Sequence, residues 1–133
     1  MRQTPAVSSN QSRNQVVSLG FPPSSRFLAA ARLVATSLGA DAGLTVDDLD
    51  DLRLGVNELV TTLVDTADGS SRIALEYVTE NSSITVSGRV EGAAHELEPD
   101  ELTVRILAAV ADHYELGPSS FVLTKSSTLR EHS

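Results

Sequence analysis

The chain has no cysteine, few basic residues and no long apolar run, and each of these absences excludes a class of protein. Without cysteine it can form neither a disulfide nor a thiolate metal site. No stretch approaches the about 20 apolar residues of a membrane-spanning helix, and the polar N-terminus has no signal-peptide core. We therefore expect a soluble, cytoplasmic protein.

Basic side chains are outnumbered by acidic ones. The sequence holds 10 Lys and Arg against 18 Asp and Glu, which gives a formal net charge of −8. This balance opposes contact with a phosphate backbone, so direct binding to nucleic acid is not expected. An acidic surface favours a basic protein partner instead.

The length of the chain predicts a single domain. With 133 residues it can bury one hydrophobic core but not two. The first 14 residues are rich in Ser, Gln and Asn and have little to bury, so we expect a flexible N-terminal tail there. The expected domain covers residues 15–125, and residues 126–133 form a polar C-terminal tail.

The clearest element is a long helix from Thr45 to Ala67. Thr45 followed by Asp48 is a helix start, and the acidic residues of the first turns suit its unpaired amide groups. Apolar residues recur three and four positions apart, which is the spacing of one helical stripe. They are Leu49, Leu52, Val56, Leu59, Leu63 and Ala67.

A line of polar residues runs beside this stripe. Glu58, Thr62 and Thr66 lie four apart, so they share one side of the helix. A solvated helix face explains such a line without any function. A functional site is the alternative hypothesis.

The other elements follow from the same periodicities and from the Gly and Pro residues between them. We predict a strand over 15–19, a helix from Ser24 or Ser25 to Leu38, strands over 73–78 and 83–87, a loop over 88–99, a helix over 100–113 and a strand over 121–124. Gly39 and Gly43 are expected to close the first helix. The inward face of the helix over 100–113 is predicted to carry Leu102, Ile106, Leu107 and Val110.

This order of elements indicates the fold class. Helices with one apolar face and strands joined as hairpins predict an α+β two-layer sandwich, in which a mixed or antiparallel sheet is covered by helices on one face. No internal repeat points to another architecture.

Residues 51–67, DLRLGVNELVTTLVDTA, resemble the signature helix of the anti-sigma regulatory factors. These are RsbW-like serine kinases of the GHKL, or histidine-kinase-like, ATPase superfamily. The specific part is the LRLxVxE pattern from Leu52 to Glu58, and the resemblance covers residues 15–125 through the order of elements. It implies the Bergerat-type sandwich of that superfamily, frequently as a homodimer. It also implies a bacterial regulator that sequesters a sigma factor and phosphorylates an anti-anti-sigma partner.

The resemblance also implies which residues of the helix would serve catalysis. Glu58 falls at the position of the acidic general base. Thr62 stands where an Asn that holds magnesium is expected, and Thr66 stands where a His is frequent. The magnesium ligand is therefore replaced.

Both glycine motifs that receive ATP in the family are degenerate here. No Asp-x-Gly-x-Gly turn follows the strand that ends near Gly88, and Glu101 and Thr103 occupy the glycine positions of the later motif. Backbone amides approach phosphates closely only where side chains are absent. Glu101 would add a carboxylate beside the triphosphate, and like unit charges at about 4 Å cost roughly 1 to 4 kcal/mol.

These departures predict a binding module without ATP turnover, which sequesters a sigma factor, an anti-anti-sigma protein or both. Glu58 is then a vestigial catalytic residue, and no cofactor is expected. The alternative is a divergent serine kinase that phosphorylates an anti-anti-sigma protein with Mg-ATP. An adaptor for some other protein is a third hypothesis.

Two arginines are the candidates for partner binding, because the corresponding helix of the family often contacts its partners through an exposed Arg. They are Arg26 and Arg32, although a solvated arginine is the simpler explanation for each. His95, His113 and His132 have no second ligand at metal spacing, so we expect surface histidines and no metal site.

Overall fold

A computed structural model describes residues 14–129. The predicted N-terminal tail lies outside this range except for its last residue, whereas residues 126–129 of the predicted C-terminal tail lie inside it and Ser126 is part of the last strand. Five strands and three helices are present in it: β1 (Val16–Phe21), α1 (Leu28–Asp41), α2 (Val46–Thr66), β2 (Arg72–Glu80), β3 (Ser83–Glu91), α3 (Glu101–Val110), β4 (His113–Leu116) and β5 (Ser120–Ser126).

The strands form one antiparallel sheet in the order β1-β2-β3-β5-β4. Alternate residues of the central strands are buried, as Ile73, Leu75 and Tyr77 of β2 show with 0 to 2% exposure. The helices cover this face, and the Tyr77 hydroxyl donates a hydrogen bond to the Ala31 carbonyl of α1 at 2.9 Å. The protein is an α+β two-layer sandwich, as the sequence predicted, and every strand pair among residues 14–129 is antiparallel.

The long central helix is confirmed as α2. Thr45 is its N-cap and forms a reciprocal capping box with Asp48. Leu52, Leu59 and Leu63 are at most 1% exposed, so the predicted apolar stripe is the centre of the core. This leaves the polar side of α2 free to line a site.

The first helix continues beyond its predicted end at Leu38. A 3-10 turn over Ser25–Phe27 leads into α1, which runs through Gly39 to Asp41. Gly39 does not end the helix as expected. A β-carbon at Gly39 would lie 2.9 Å from the Leu49 side chain, so glycine is needed there because α1 and α2 approach closely. The chain reverses at Gly43, whose φ of +97° favours glycine.

The expectation of a loop beginning at Gly88 is also wrong. β3 continues to Glu91, and Gly88 is buried within it. A β-carbon at Gly88 would approach side-chain atoms of Leu75 and Phe121 to 2.7 Å. The glycine therefore marks close packing under the helices and not the end of a strand.

Two predictions for the chain after this loop also differ from the structure. Asp100 caps α3, and this start turns Thr103, Leu107 and Val110 inward, while Leu102 is 65% exposed. The prediction that Leu102 faces the core is wrong. The helix ends at Val110, and His113 begins the short edge strand β4, which the sequence did not predict.

A buried lysine joins the C-terminal elements to α2. Lys125 of β5 is 7% exposed, and its Nζ donates to the Val110 carbonyl at 2.9 Å and to Asp51 at 3.2 Å. The ammonium thus satisfies a carbonyl at the end of α3.

None of the helices in residues 14–129 combines the length and the apolarity that a bilayer crossing needs.

Candidate functional site

A cleft of about 470 Å³ opens between the polar side of α2, the loop after β3 and the first turn of α3. It is within the size range of small-molecule sites. Its lining consists of Glu58, Thr61, Thr62, Asp65, Thr66, His95, Glu96, Glu98, Pro99, Asp100 and Thr103.

The loop after β3 is fastened to the end of α2. Gly92, with φ of +120°, turns the chain, and Ala94 then forms a β-bridge with Ala67. The His95 amide donates to the Thr66 carbonyl at 3.1 Å. These backbone bonds place the following acidic residues along the cleft.

Leu97 anchors the other end of the same loop. Its side chain is 8% exposed and belongs to the hydrophobic core, and its amide donates to the Pro118 carbonyl at 2.7 Å. Leu97 is absent from the cleft lining. The loop therefore buries Leu97 beside the cleft and leaves the cleft open.

Glu58 and Thr103 join the two helices that border the cleft. The Thr103 hydroxyl donates to the Glu58 carboxylate at 3.1 Å, and Thr103 is 8% exposed. The carboxylate that the resemblance places as a general base is thus bonded to a residue that stands at a glycine position of the family motif. One oxygen of the Glu58 carboxylate is therefore already engaged as the acceptor of the Thr103 hydroxyl.

The two threonines of α2 bond within their own helix. Thr62 Oγ1 donates to the Glu58 carbonyl at 2.8 Å, and Thr66 Oγ1 donates to the Thr62 carbonyl at 2.6 Å. Such bonds back to the preceding turn are common for threonine in helices. Both hydroxyl protons are therefore used by α2 itself.

The charge of the cleft is negative. Within residues 14–129 no Lys or Arg lines it, and its carboxyl groups belong to Glu58, Asp65, Glu96, Glu98 and Asp100. The Thr103 amide donates to the Asp100 carboxylate at 2.8 Å, and this bond lowers the pKa of Asp100. Asp100 is therefore charged at neutral pH, beside the opening of the cleft.

The acidic side chains do not converge on a metal site. Among residues 14–129, no group of three or more His, Asp or Glu side chains is close enough to hold a metal ion. The carboxylates instead spread along the cleft as a rim of negative charge.

Two of the degenerate nucleotide positions lie away from the cleft. Gly88 is inside the sheet, and Glu101 is exposed on α3, where it pairs with Arg105 at 3.3 Å. The structure therefore brings Thr62, Thr66 and Thr103 to the cleft together with Glu58, and neither Gly88 nor Glu101 lines it.

The two candidate arginines differ in exposure. Arg26 is exposed and lies over the Phe27 ring at 5.4 Å. Arg32 is half-buried, and its Nη1 donates to the Asn57 side chain of α2 at 2.6 Å. Arg26 presents its guanidinium more freely than Arg32.

The two histidines among residues 14–129 are not gathered at one site. His95 is exposed at the cleft, and His113 contacts Glu115 at 2.8 Å on β4. His132 lies outside the described residues.

Sequence reasoning missed the acidic loop that forms one wall of the cleft. Glu96, Glu98 and Asp100 alternate with Leu97 and Pro99, and this alternation was a usable signal. The buried Leu97 fixes the loop, so its neighbours on both sides point away from the core. Thr61 and Asp65 follow from helical spacing on the same side of α2 as Glu58.

No protein-family profile matches the chain, and no curated protein matches it. Among solved structures, it is similar to the crystal structure of the RsbU and RsbW domains of Rv1364c from Mycobacterium tuberculosis. The likeness shows a shared fold. The TM-score is 0.57 at 12% sequence identity, over 85% of this chain and 32% of the other, so this chain spans about a third of that structure's length.

Proposed function

We propose that this protein is a regulatory binding module of the anti-sigma type, which sequesters a sigma factor, an anti-anti-sigma protein or both without ATP turnover. Two features support the proposal. The fold is shared with a structure that contains an RsbW domain. The LRLxVxE pattern lies in α2, the helix that borders the cleft.

The charge of the cleft is the observation that carries the proposal. A triphosphate brings several negative charges, and sites for it supply cations, metal or free backbone amides. Five carboxyl groups line this cleft, and no Lys or Arg among residues 14–129 does so. Each close contact between like charges would cost roughly 1 to 4 kcal/mol.

The bond between Glu58 and Thr103 supports a structural role for Glu58. A general base must be free to accept a proton from its substrate. In this protein the carboxylate accepts a hydrogen bond from Thr103 and links α2 to α3. We therefore infer that Glu58 is a vestige of the family's base position.

Sequestration would work by occlusion. The module covers a surface of the sigma factor that RNA polymerase needs, and an anti-anti-sigma protein releases it by competition. Arg26 is the first candidate contact because its guanidinium is exposed. Arg32 is the second, and its bond to Asn57 would hold it in one orientation. The resemblance also implies a homodimer. This stays a prediction, which sedimentation velocity would test.

One observation favours the alternative, a divergent serine kinase that phosphorylates an anti-anti-sigma protein with Mg-ATP. The cleft of about 470 Å³ has the size of a ligand site and is bordered by Glu58. Under this alternative Thr103 would release the carboxylate when the substrate binds.

Affinity capture from the native cell tests the proposal. The tagged full chain is used as bait, and the bound proteins are identified by mass spectrometry. We expect a sigma factor or an anti-anti-sigma protein, with less of it on Arg26→Ala than on the control Arg53→Ala, whose arginine is also exposed. If both classes of partner are missing from the eluate, the proposal fails.

A phosphotransfer assay separates the two functions. The captured anti-anti-sigma protein is incubated with the full chain and radiolabelled Mg-ATP. We expect no label on the partner. Transfer of label that is lost in Glu58→Gln would replace the proposal with the kinase alternative.

A further inference from the structure

Strand β1 forms an edge of the sheet that carries none of the usual protections against further pairing. It has six residues, and no charged residue lies between Arg13 and Arg26. Proline or a charged side chain on an edge strand commonly blocks such pairing. The opposite edge strand, β4, has four residues, carries His113 and Glu115, and ends just before Pro118. The two edges therefore differ, and β1 is the one open to another strand.

The free side of β1 presents the backbone groups of alternate residues. The Thr79 amide of β2 donates to the Gln15 carbonyl at 2.9 Å, and bonding toward β2 then recurs at every second residue of β1. The N–H and C=O groups of the residues between, Val16, Ser18 and Gly20, therefore point away from β2. Among residues 14–129, no strand pairs with this side.

The inward side chains of β1 are incompletely covered by the helices. Val17 and Leu19 pack against the core but are only half-buried, whereas Leu75 and Tyr77, their partners on β2, are at most 2% exposed. Helix α1 contacts β2 through the Tyr77 hydroxyl, so the sheet extends one strand beyond that contact. A neighbour beside β1 would bury the remaining apolar surface.

The flank of α1 above β1 adds apolar surface to this edge. Arg32 turns toward α2, and on the other side Phe27 stacks on the last residue of β1 with 5.4 Å between ring centroids. At about 100° per residue, Ala30 and Val34 lie on the side of α1 opposite Arg32. Asp41 also lies on that side, but it is the last residue of α1, about 16 Å from Ala30 along the axis.

We propose that two copies of this chain pair antiparallel through β1, so that their five-stranded sheets join into one continuous sheet about a two-fold axis at Ser18. In this register Ser18 faces Ser18 of the second copy, and Val16 faces Gly20. Every outward N–H and C=O of these residues is then paired. On the helix side, Val17 faces Leu19 as an apolar cross-strand pair.

The hydrogen bonds select this register among its neighbours. Moving the axis one residue along, to Leu19, would place Val16 opposite Pro22, which has no amide hydrogen to donate. Moving it the other way, to Val17, would place Gly20 opposite Asn14, beyond the strand. The axis at Ser18 is therefore the one at which β1 is complementary to itself along its whole length.

The charge of the edge agrees with a second copy as the occupant. Each chain carries a net charge of −8, so most surfaces would bring like charges together. Glu76 faces Ser18 from β2, and across the axis the two Glu76 side chains would be about 14 Å apart, or three strand spacings. This exceeds the Debye length of about 8 Å at physiological salt. The proposal assigns a surface to a homodimer and is independent of which partner the module sequesters.

Sedimentation velocity of the full chain tests the pairing. We expect concentration-dependent dimerisation, with a dissociation constant that Ser18→Pro raises about tenfold or more, because symmetry makes the change remove two hydrogen bonds. The Ser18 amide points away from β2, so proline leaves the bonds within each sheet in place, which circular dichroism checks. A chain that is monomeric at every concentration, or a dimer that Ser18→Pro leaves unchanged, would overturn the proposal.

Cysteine crosslinking locates the axis without relying on a proline variant. The chain has no cysteine, so Ser18→Cys introduces a single thiol. Facing Cα atoms of a hydrogen-bonded pair are about 5.5 Å apart, which is within the range of a disulfide. We expect diamide to convert Ser18→Cys into a covalent dimer. The matched control is Ser87→Cys, because Ser87 lies in the same row of the sheet on β3, two strands from the edge.

Ser87→Cys should stay monomeric under the same oxidation. Crosslinking through Ser87→Cys in place of Ser18→Cys would assign the contact to the open face of the sheet and contradict the proposal.

A strand of another protein is the alternative occupant of this edge. If the chain is monomeric, and Ser18→Lys loses a captured protein that Ser87→Lys retains, the edge belongs to that protein and the proposal fails.

The fate of the dimer is separable from that of the proposed function. If a sigma factor is captured by a chain that is monomeric, the function stands and the pairing through β1 fails. If Ser18→Cys crosslinks but neither class of partner is captured, the pairing stands and the anti-sigma function fails.

Discussion

Asp48 combines two roles within one buried side chain. It completes the capping box of α2, it is 1% exposed, and its Oδ2 accepts the Thr128 amide at 3.1 Å. Burial raises the pKa of such a carboxyl group, but here the hydrogen bonds from Thr45 and Thr128 and the charge of Lys125 outweigh burial and lower it. The ionised carboxylate therefore fastens the residues after β5 to the start of α2.

The lowered pKa of Asp48 predicts how stability depends on pH. A carboxyl whose pKa is lower in the folded state stabilises the fold above its unfolded pKa of about 3.9, and this contribution is lost as the pH falls through the folded value. Asp48→Asn should lower the free energy of unfolding at pH 7 by about 1 to 2 kcal/mol, since it weakens the cap. It should also reduce the fall in stability below about pH 4.

Urea unfolding of the two proteins between neutral and acid pH measures both effects. Asp47→Asn is the control, because Asp47 is exposed in the same first turn. If Asp48→Asn and the wild type lose stability in parallel on acidification, the role given to Asp48 is wrong.

The bond between Glu58 and Thr103 predicts an energetic coupling between α2 and α3. We expect Glu58→Gln and Thr103→Val to show a coupling energy of about 0.5 to 1.5 kcal/mol in a double-mutant cycle, as for one hydrogen bond. Denaturant unfolding of the four proteins gives this value. Thr61→Val, on the same wall of the cleft, should show no coupling with Glu58→Gln. Additive effects of Glu58→Gln and Thr103→Val would argue against a structural link.

At the scale of elements, β3 illustrates how packing sets local structure. The strand passes through Gly88 because Leu63 of α2 and Phe121 of β5 fill the space that a side chain would need. Glycine weakens a strand by itself, but here it lets the helix layer approach the sheet. The close contact of the two layers depends on this position.

Gly88→Ala should therefore destabilise the protein. The new β-carbon would lie 2.7 Å from side-chain atoms of Leu75 and Phe121, and overpacking of this kind costs typically about 1 to 3 kcal/mol. Gly69→Ala is the matched control, since nothing lies within 4 Å of a β-carbon there. Thermal unfolding of both variants checks the prediction, and equal midpoints would refute it.

The elements that could be predicted from the sequence are those whose patterns are local. The capped start and apolar stripe of α2 are complete within its own residues, and the fold class followed from the order of helices and strands. β4 could not be predicted in this way, because its four residues have no alternation and are held by pairing with β5. The exposure of Leu102 depends on the helix phase that Asp100 sets.

The site was predictable in part for the same reason. The resemblance directed attention to Glu58, Thr62 and Thr66, and all three line the cleft. The contact of Glu58 with Thr103 spans 45 positions in sequence, and no local pattern reveals it. The alternation of Glu96, Leu97 and Glu98 was a local signal of the acidic loop, but its direction follows from the burial of Leu97 in the core.

At the scale of the whole molecule, the fold points to a known class of domain, whereas the lining of the cleft does not suit a nucleotide. The sandwich is the fold of a structure that contains an RsbW domain. The cleft within it holds carboxyl groups and no Lys or Arg among residues 14–129. Under the proposed function the molecule is a binding protein, and the exposed Arg26, in the turn before α1, is its first candidate contact.

Thermal unfolding of the full chain with and without millimolar Mg-ATP tests this account most directly. A ligand present at about 100 times its dissociation constant stabilises the folded state by about 2.7 kcal/mol, which raises the unfolding midpoint by several degrees. Magnesium chloride with sodium sulfate at equal ionic strength is the control. We predict the same midpoint in both solutions. A higher midpoint with Mg-ATP alone would show that the cleft binds nucleotide and would contradict the account.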